Sequence, residues 1–301
     1  MINGIINVYK EAGYTSFDVV AKMRGIACQR KIGHTGTLDP EATGVLPLVL
    51  GSATKLVDML TDKKKEYIAT LELGKETDTQ DIWGNLISEK EVDITEVQFR
   101  EAVLSFIGDI RQIPPMYSAL KVDGKKLYEL AREGKEVERK ARPVTIHDIE
   151  IIEMDNKTAK IRVQCSKGTY IRTLCHDIGK KLGCGAVMTS LLRTKSGNFN
   201  LEDAYKLDEL QALKEKGELD KVVIPVDSIF EEYAKAVVDG EILKKVKNGN
   251  MIYINQMKKT LSDVGKRNRI RIYDIEGRFL AIYEKDAEKG VYSVWQMFLN
   301  E

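Results

Sequence analysis

The sequence predicts an α/β (α+β) chain: a central mixed, mainly antiparallel sheet flanked by helices, followed by a small basic β domain. Three observations lead there. Helical and strand-like stretches follow one another in mixed order rather than as a repeated βα unit. No GxGxxG stands between a strand and a helix, and no Gly-rich loop ends in Gly-Lys-Ser or Gly-Lys-Thr, so there is no motif for a bound dinucleotide or NTP. Charge also reverses late in the chain. Between Leu201 and Glu241 five basic residues face twelve acidic ones, whereas between Lys244 and Arg271 nine Lys or Arg face one acid, Asp263. This predicts a larger domain over residues 1–231 and a basic module over 232–301, joined by an acidic helical connector with its boundary inside Val223–Tyr233.

The elements follow in order. Ser16 is the expected cap of a helix whose apolar positions Phe17, Val20, Met23 and Ile26 have helical spacing, ending near Cys28. Val45–Leu50 reads as a buried strand, residues 53–62 as a helix, and "EYIATLELG", residues 66–74, alternates as a strand does. Thr95 and Gln98 form a capping-box pattern before an amphipathic helix expected to reach Gly108. A Pro-Pro stop, a strand, a Gly turn and a charged helix fill residues 113–142. Strands at 149–152 and 159–166, a helix at 170–181 and a strand at 187–195 complete the larger domain. In the tail, "VVDGEILKKVKNGNMI" predicts a basic helix and "RIYDIEGRFLAIYE" two strands about a Glu-Gly turn.

With 301 residues, 43% hydrophobic and 31% charged, the chain has ordinary globular composition. It has no run of about 18 apolar residues, and "MINGIINVYK" is too short and mixed for a leader, so a soluble cytoplasmic protein is expected. Cys28, Cys165, Cys175 and Cys184 form no CxxC pair, which predicts reduced, buried thiols and no metal site.

The stretch "KIGHTGTLDPEATGVLPL" carries the strongest candidate for chemistry, Asp39, in a Gly-rich loop leading into a buried strand. Such a carboxylate serves as nucleophile, general base or metal ligand, or else simply closes a turn. To stay ionised in a partly dry pocket it needs a cationic partner, and Arg172 in "SKGTYIRTL" is the candidate. Tyr67 opens a strand after Lys63–Lys65; its ring can stack on a base and its hydroxyl can take a proton. His34 sits between glycines. Basic clusters at Lys121–Lys126 and Arg139–Arg142 are suited to phosphates, although acids interleave both.

Together these residues resemble one family. "GHTGTLDPEATGVLPL" is similar to the signature of the TruB-type tRNA pseudouridine synthases, and "KEAGYTSFDVV", "KEYIATLELGKETDTQDIWG", "IPPMYSALKVDGKKLYELAREG", "CSKGTYIRTLCHDIG" and "SLLRTKSGNF" resemble its further blocks in the family's order. The resemblance spans Ile2 to Ile229, and the tail is similar, more weakly, to a PUA-type RNA-binding domain. It implies the pseudouridine synthase fold, an RNA-gripping insertion over 113–142, and isomerisation of the T-loop uridine (position 55) of tRNA by base flipping, glycosidic cleavage and C1′–C5 rejoining. No metal or organic cofactor is implied.

By the same resemblance Asp39 is the nucleophile, Tyr67 stacks on the uracil, Arg172 pairs with Asp39, Leu192 walls the pocket, and His34 fills the space of displaced nucleotides. Lys10 and Lys121 complete the expected substrate-binding set. The loop glycines are expected to admit a flipped nucleotide. One departure is Glu11, where the family commonly has a proline that would stiffen the turn. The expected partner is the tRNA T-arm, with a monomer as default. The alternatives are a guide-dependent synthase of the related archaeal and eukaryotic type, or an RNA-binding or RNA-folding protein with secondary catalysis.

Overall fold

Apolar runs buried on both faces build the centre of the molecule, and the computed structural model describes residues 1–122, 124–257 and 268–299. In chain order the first part consists of β1 (Gly4–Lys10), α1 (Ser16–Ala27), β2 (Ile32–His34), β3 (Thr43–Leu50), α2 (Val57–Thr61), β4 (Lys65–Leu73), β5 (Lys75–Thr77), β6 (Leu86–Glu89) and α3 (Glu96–Leu104). There follow β7 (Gly108–Gln112), β8 (Lys121–Val122), β9 (Lys125–Lys126), α4 (Leu127–Arg132), β10 (Arg142–Met154), β11 (Thr158–Cys165), α5 (Ile171–Leu182), β12 (Ala186–Ser196), β13 (Phe199–Asn200) and α6 (Leu207–Glu215). The tail holds β14 (Ala234–Val238), α7 (Gly240–Lys247), β15 (Ile252–Tyr253), α8 (Ile254–Met257), β16 (Arg269–Asp274), β17 (Phe279–Asp286) and β18 (Val291–Met297).

The large sheet runs β1-β3-β12-β4-β11-β10-β7, with β2 added to β3 and β13 to β12. Every neighbouring pair is antiparallel except β3 with β12, which run parallel through Leu192 opposite Thr43 and Arg193 opposite Gly44. The expected mixed, mainly antiparallel sheet is therefore present. Its parallel seam is allowed because Gly44 has φ +104° and no side chain: a Cβ there would lie 2.2 Å from the Arg193 carbonyl oxygen. This glycine admits backbone, whereas the sequence pattern reserved the loop glycines for a nucleotide.

Several local expectations change. Thr15, rather than Ser16, caps α1 through a reciprocal box with Asp18. Phe17 is exposed, and the buried face of α1 is Ser16, Val19, Val20, Met23, Ile26 and Ala27. The helix ends on Cys28 in the left-handed conformation, which leaves that thiol exposed while Cys165, Cys175 and Cys184 are buried. The Thr95–Gln98 box is formed, but α3 stops at Leu104, because Gly108 (φ +110°) turns the chain into β7. Residues 113–137 form a β8–β9 hairpin and α4 around their own small core of Met116, Leu127 and Leu130.

The second sheet is β14-β16-β17-β18-β15, and the Glu276-Gly277 turn lies between β16 and β17 as expected. Part of the basic run, residues 258–267, lies outside the described residues. In the described part, Arg271 is spent on the chain that precedes β14: its guanidinium donates to the carbonyls of Tyr233 (3.0 Å), Asp227 (3.4 Å) and Glu231 (3.4 Å). Arg269 lies over the Trp295 ring and pairs with Glu284. The acidic connector carries α6 (Leu207–Glu215), after which the chain passes through two short 3-10 turns, Leu219–Val222 and Val226–Phe230, into β14. Phe230 from this segment packs on Tyr233, Phe279, Trp295 and Phe298, in a cluster that also takes in Ile5, Val45, Val49, Leu56 and Leu60 of the larger domain. The two sheets thus share an apolar seam. Phe230→Ala should lower stability by about 3–5 kcal/mol and split one urea transition into two, as read by far-UV circular dichroism.

Candidate active site

The Asp39 loop is tied down on three sides. Leu38 and Ala42 are buried in the main core on either side of the carboxylate. The Ser16 hydroxyl accepts from the Leu38 N–H (2.9 Å) and donates to the Leu38 carbonyl (3.3 Å), so α1 clamps the residue before Asp39. The Gly13 N–H donates to the Pro40 carbonyl at 3.0 Å. From below, the Lys10 ammonium donates to the carbonyls of Ala42 (2.6 Å), Pro40 (2.7 Å) and Glu11 (3.0 Å). Lys10 has 0% exposure. Its donors are all engaged inside the protein, which corrects the expectation that it meets the substrate: Lys10 holds the loop up. It also supports the turn at Glu11, where a proline would otherwise have provided stiffness.

Arg172, in the first turn of α5, meets this loop from the other side. Gln112 positions that helix end, accepting from the Tyr170 N–H (3.0 Å) and donating to the Tyr170 carbonyl (3.1 Å). The guanidinium faces the Asp39 carboxylate side-on, with Nε 2.9 Å from Oδ2 as an ion contact and Nη2 donating to Oδ1 at 3.2 Å. Nη1 donates to the Thr79 carbonyl (3.0 Å) and reaches Asp81 Oδ2 (3.4 Å), and Nη2 also donates to the Tyr117 carbonyl (2.9 Å). The Arg172 side chain is 5% exposed and that of Asp39 40%. The pair therefore has a buried cation and a carboxylate open at the mouth, the arrangement a reacting group needs. Burial pushes the Asp81 carboxyl up, against the opposing pull of the Thr79 hydroxyl and Arg172.

Tyr67 lies on β4, opposite Val163 on one side and Arg193 on the other, and shares the core cluster that holds Leu38 and Ala42. A bulge in β12 between Arg193 and Lys195 re-aims the strand at this point. Burial raises the Tyr67 phenol above its ordinary pKa, keeping it neutral. Leu192 is half-buried on the same stretch of β12. His34 ends β2, half-buried; its Nδ1 accepts from the Gly36 N–H (3.4 Å), and burial with the nearby Arg193 charge depresses its pKa. Lys121 is exposed on the β8–β9 hairpin.

Sequence reasoning missed three members. Arg193, 1% exposed, donates from Nε to the Val45 carbonyl (2.6 Å) and from Nη2 to the Gly36 carbonyl (3.1 Å), spanning the base of the loop. It stands next to Leu192 in a quoted block, yet no spacing rule shows that a strand arginine turns inward. Asp81 is one of several acids in "KETDTQD", and only the fold brings it to Arg172. Gln112 carries no signal.

Residues 24–171 match the TruB family pseudouridylate synthase N-terminal domain, and residues 172–231 match the tRNA pseudouridylate synthase B C-terminal domain. The chain belongs to the TruB family of pseudouridylate synthases. It is 52% identical over 262 residues to the tRNA pseudouridine synthase B of Alkaliphilus oremlandii, covering 87% of each chain. With that of Lachnoclostridium phytofermentans it is 50% identical over 307 residues, covering 99% of this chain and all of the relative. Among solved structures, a Cbf5-Nop10-Gar1 complex matches with a TM-score of 0.70 at 28% identity, over 99% of this chain and 85% of the other. The boundary between the two matched TruB regions falls inside α5, whereas the sheet runs unbroken across it.

Two outcomes follow for this TruB-family site. Arg172→Lys should cut kcat by at least about 100-fold, since an ammonium cannot hold Asp39 side-on while also serving Thr79, Tyr117 and Asp81. Single-turnover kinetics at saturating substrate would check it. For Lys10, burial lowers the pKa from 10.5 to about 8, partly offset by Glu41 and Asp39. Below that pH its ammonium has three N–H groups for three carbonyls; above it, the amine has two. The kcat profile should therefore fall along a limb centred near pH 8. Stability moves the other way: between about 8 and 10.5 the unfolded chain still holds a proton that the folded lysine has released, so this group's contribution rises with pH. Lys10→Met should remove the limb and part of that rise, the remainder belonging to Lys65, which burial also lowers to about 8.

Proposed function

We propose that the protein isomerises the T-loop uridine of tRNA, at position 55, to pseudouridine, acting on the T-arm as a monomer in the cytoplasm. The observation that carries this reading is the Asp39 carboxylate, open at the mouth of the site and held side-on by a guanidinium that is itself buried. That geometry holds a carboxylate aimed at the mouth of the site while substrate displaces water. Asp39 is the nucleophile. Tyr67 offers its ring to the extruded uracil and a neutral phenol beside the base, and Leu192 contributes an apolar wall. His34, neutral near pH 7, occupies space left by displaced nucleotides without adding charge. The cost of pulling a stacked base from a folded loop, a few kcal/mol, is offset by such stacking and by phosphate contacts.

Phosphate contacts would come from Lys121, Lys140 and Arg142, exposed within the 113–142 insertion, and from Lys244, Lys245 and Lys247 of α7 in the PUA-like tail. Arg139 is less available, since it donates to the Pro114 carbonyl and pairs with Glu136. The likeness to the Cbf5 complex supports one second reading, a synthase that depends on a guide RNA. The identity to bacterial synthases, about twice as high, favours free tRNA.

A T-arm hairpin carrying tritium at C5 of the target uridine separates these readings. Release without added RNA is the expected result; none under single-turnover conditions would refute the assignment. Asp39→Asn should abolish release while leaving hairpin affinity within about threefold, since shape is kept. Because the tail shares an apolar seam with the larger domain, substitution tests it better than truncation. Changing Lys244, Lys245 and Lys247 to Gln should weaken tRNA binding and flatten the log–log salt dependence by about 0.7–0.9 for each phosphate that is no longer neutralised; an unchanged slope would place α7 away from RNA.

A further inference from the structure

Trp83 lies outside every role assigned above. It sits in the connection between β5 and β6 and is 52% exposed. Ile82, Leu86 and Ile87 of the same hairpin are exposed as well. Among the described residues no ring or cation packs on its indole, in contrast to Trp295, which is edge-on to Phe230 and covered by Arg269. Four large apolar side chains exposed on one short hairpin are more than ordinary surface scatter and point to a contact site.

The connection is built to fix the backbone that carries the indole. The Thr77 hydroxyl donates to the Asp81 carbonyl and the Thr79 hydroxyl to Asp81 Oδ1, both at 2.6 Å. The Asp78 carboxylate accepts from the backbone (2.8 Å) and side-chain (2.9 Å) N–H groups of Asn85. Gly84 closes the turn so tightly that a Cβ would lie 2.2 Å from Thr79 Oγ1. The base of the connection is anchored to β12 by the Ile82 N–H on the Met188 carbonyl (2.9 Å) and the Met188 N–H on the Gln80 carbonyl (3.1 Å). The backbone N–H of Trp83 donates to Asp81 Oδ1 at 3.2 Å, and the other oxygen of that carboxylate lies 3.4 Å from Arg172 Nη1. The residue bearing the exposed indole is thus continuous, through one carboxylate, with the guanidinium that holds Asp39.

Charge selects the occupant. From Lys75 through Glu89 the hairpin carries four acids and one Lys, and that Lys75 is paired with Glu72 (2.8 Å), so the hairpin offers phosphate no unpaired cation. An uncharged aromatic face beside the site suits the face of an unpaired base, whose stacking needs no counter-charge. We propose that Trp83 is a stacking platform for an unpaired base of the RNA substrate, adjacent to the uridine that reacts at Asp39. This rests on the RNA-modifying reading above.

The chain has two tryptophans, so Trp295→Phe leaves Trp83 as the only indole reporter. In that background, titration with the T-arm hairpin should quench Trp83 emission along the same isotherm as fluorescence anisotropy of a labelled hairpin. Trp83→Ala should raise KM and Kd about tenfold or more with the single-turnover rate at saturating hairpin nearly unchanged, and Trp83→Phe should restore most of the affinity. Normal binding by anisotropy with unaltered Trp83 emission and an unmoved KM in Trp83→Ala would overturn the proposal while leaving the assigned reaction intact. Unchanged RNA affinity with altered self-association in sedimentation would overturn it in favour of a protein contact. A wild type that neither binds nor turns over the hairpin would overturn both.

Discussion

The guanidinium of Arg172 joins four stretches of chain that are far apart in sequence: the Asp39 loop, the Thr79–Asp81 connection, the Tyr117 segment and α5 itself. A buried cation is tolerable only when its donors find acceptors and its charge a counter-charge. Here the acceptors are two backbone carbonyls and two carboxylates. The surrounding structure is arranged around that requirement: Gln112 sets the helix end that carries Arg172, and Thr79 and Thr77 shape the connection that brings Asp81 in. The Asp39 loop is then shaped by needs other than its own turn propensity.

A second buried cation pair does the corresponding work below the loop. Lys10 holds the carbonyls of residues 40 and 42, and Arg193 holds those of residues 36 and 45. Neither faces solvent. The loop is therefore suspended between cations whose hydrogen bonds go mostly to backbone, which leaves the half-exposed Asp39 carboxylate to pair with Arg172 at its tip. The placement of Lys10 also explains why Glu11 can stand where a proline is common. Stiffness comes from hydrogen bonds to Lys10 and Gly13 rather than from a fixed φ.

The mixed sheet was legible, as were the Gly turn and short helix after the Pro-Pro stop, because strand alternation and turn residues are local signals; the second strand of the β8–β9 hairpin was not read. Asp39, Arg172 and Tyr67 stood out for residue type and the family resemblance, and the fold brings Asp39 and Arg172 into contact, with Tyr67 in the same core cluster. Lys10 was misread as a substrate contact because a lysine beside a turn ordinarily stays solvated. Arg269 and Arg271 were counted in a basic surface, yet they serve the domain seam. In each case composition reports the charge and not what covers it.

By itself the sequence determined that many of the segments extend as strands or coil as helices, where the loop bearing Asp39 falls, and which family that loop belongs to. These depend on patterns over a few residues and on quoted blocks in order. Only the tertiary structure decided that Asp81, Gln112 and Arg193 belong to the site, that Lys10 and Ser16 are braces, and that Trp83 is left uncovered beside it. Those outcomes depend on desolvation and on contacts between residues some 30 to 150 positions apart, such as Arg193 with Val45 and Arg172 with Asp39. No window of sequence contains both partners.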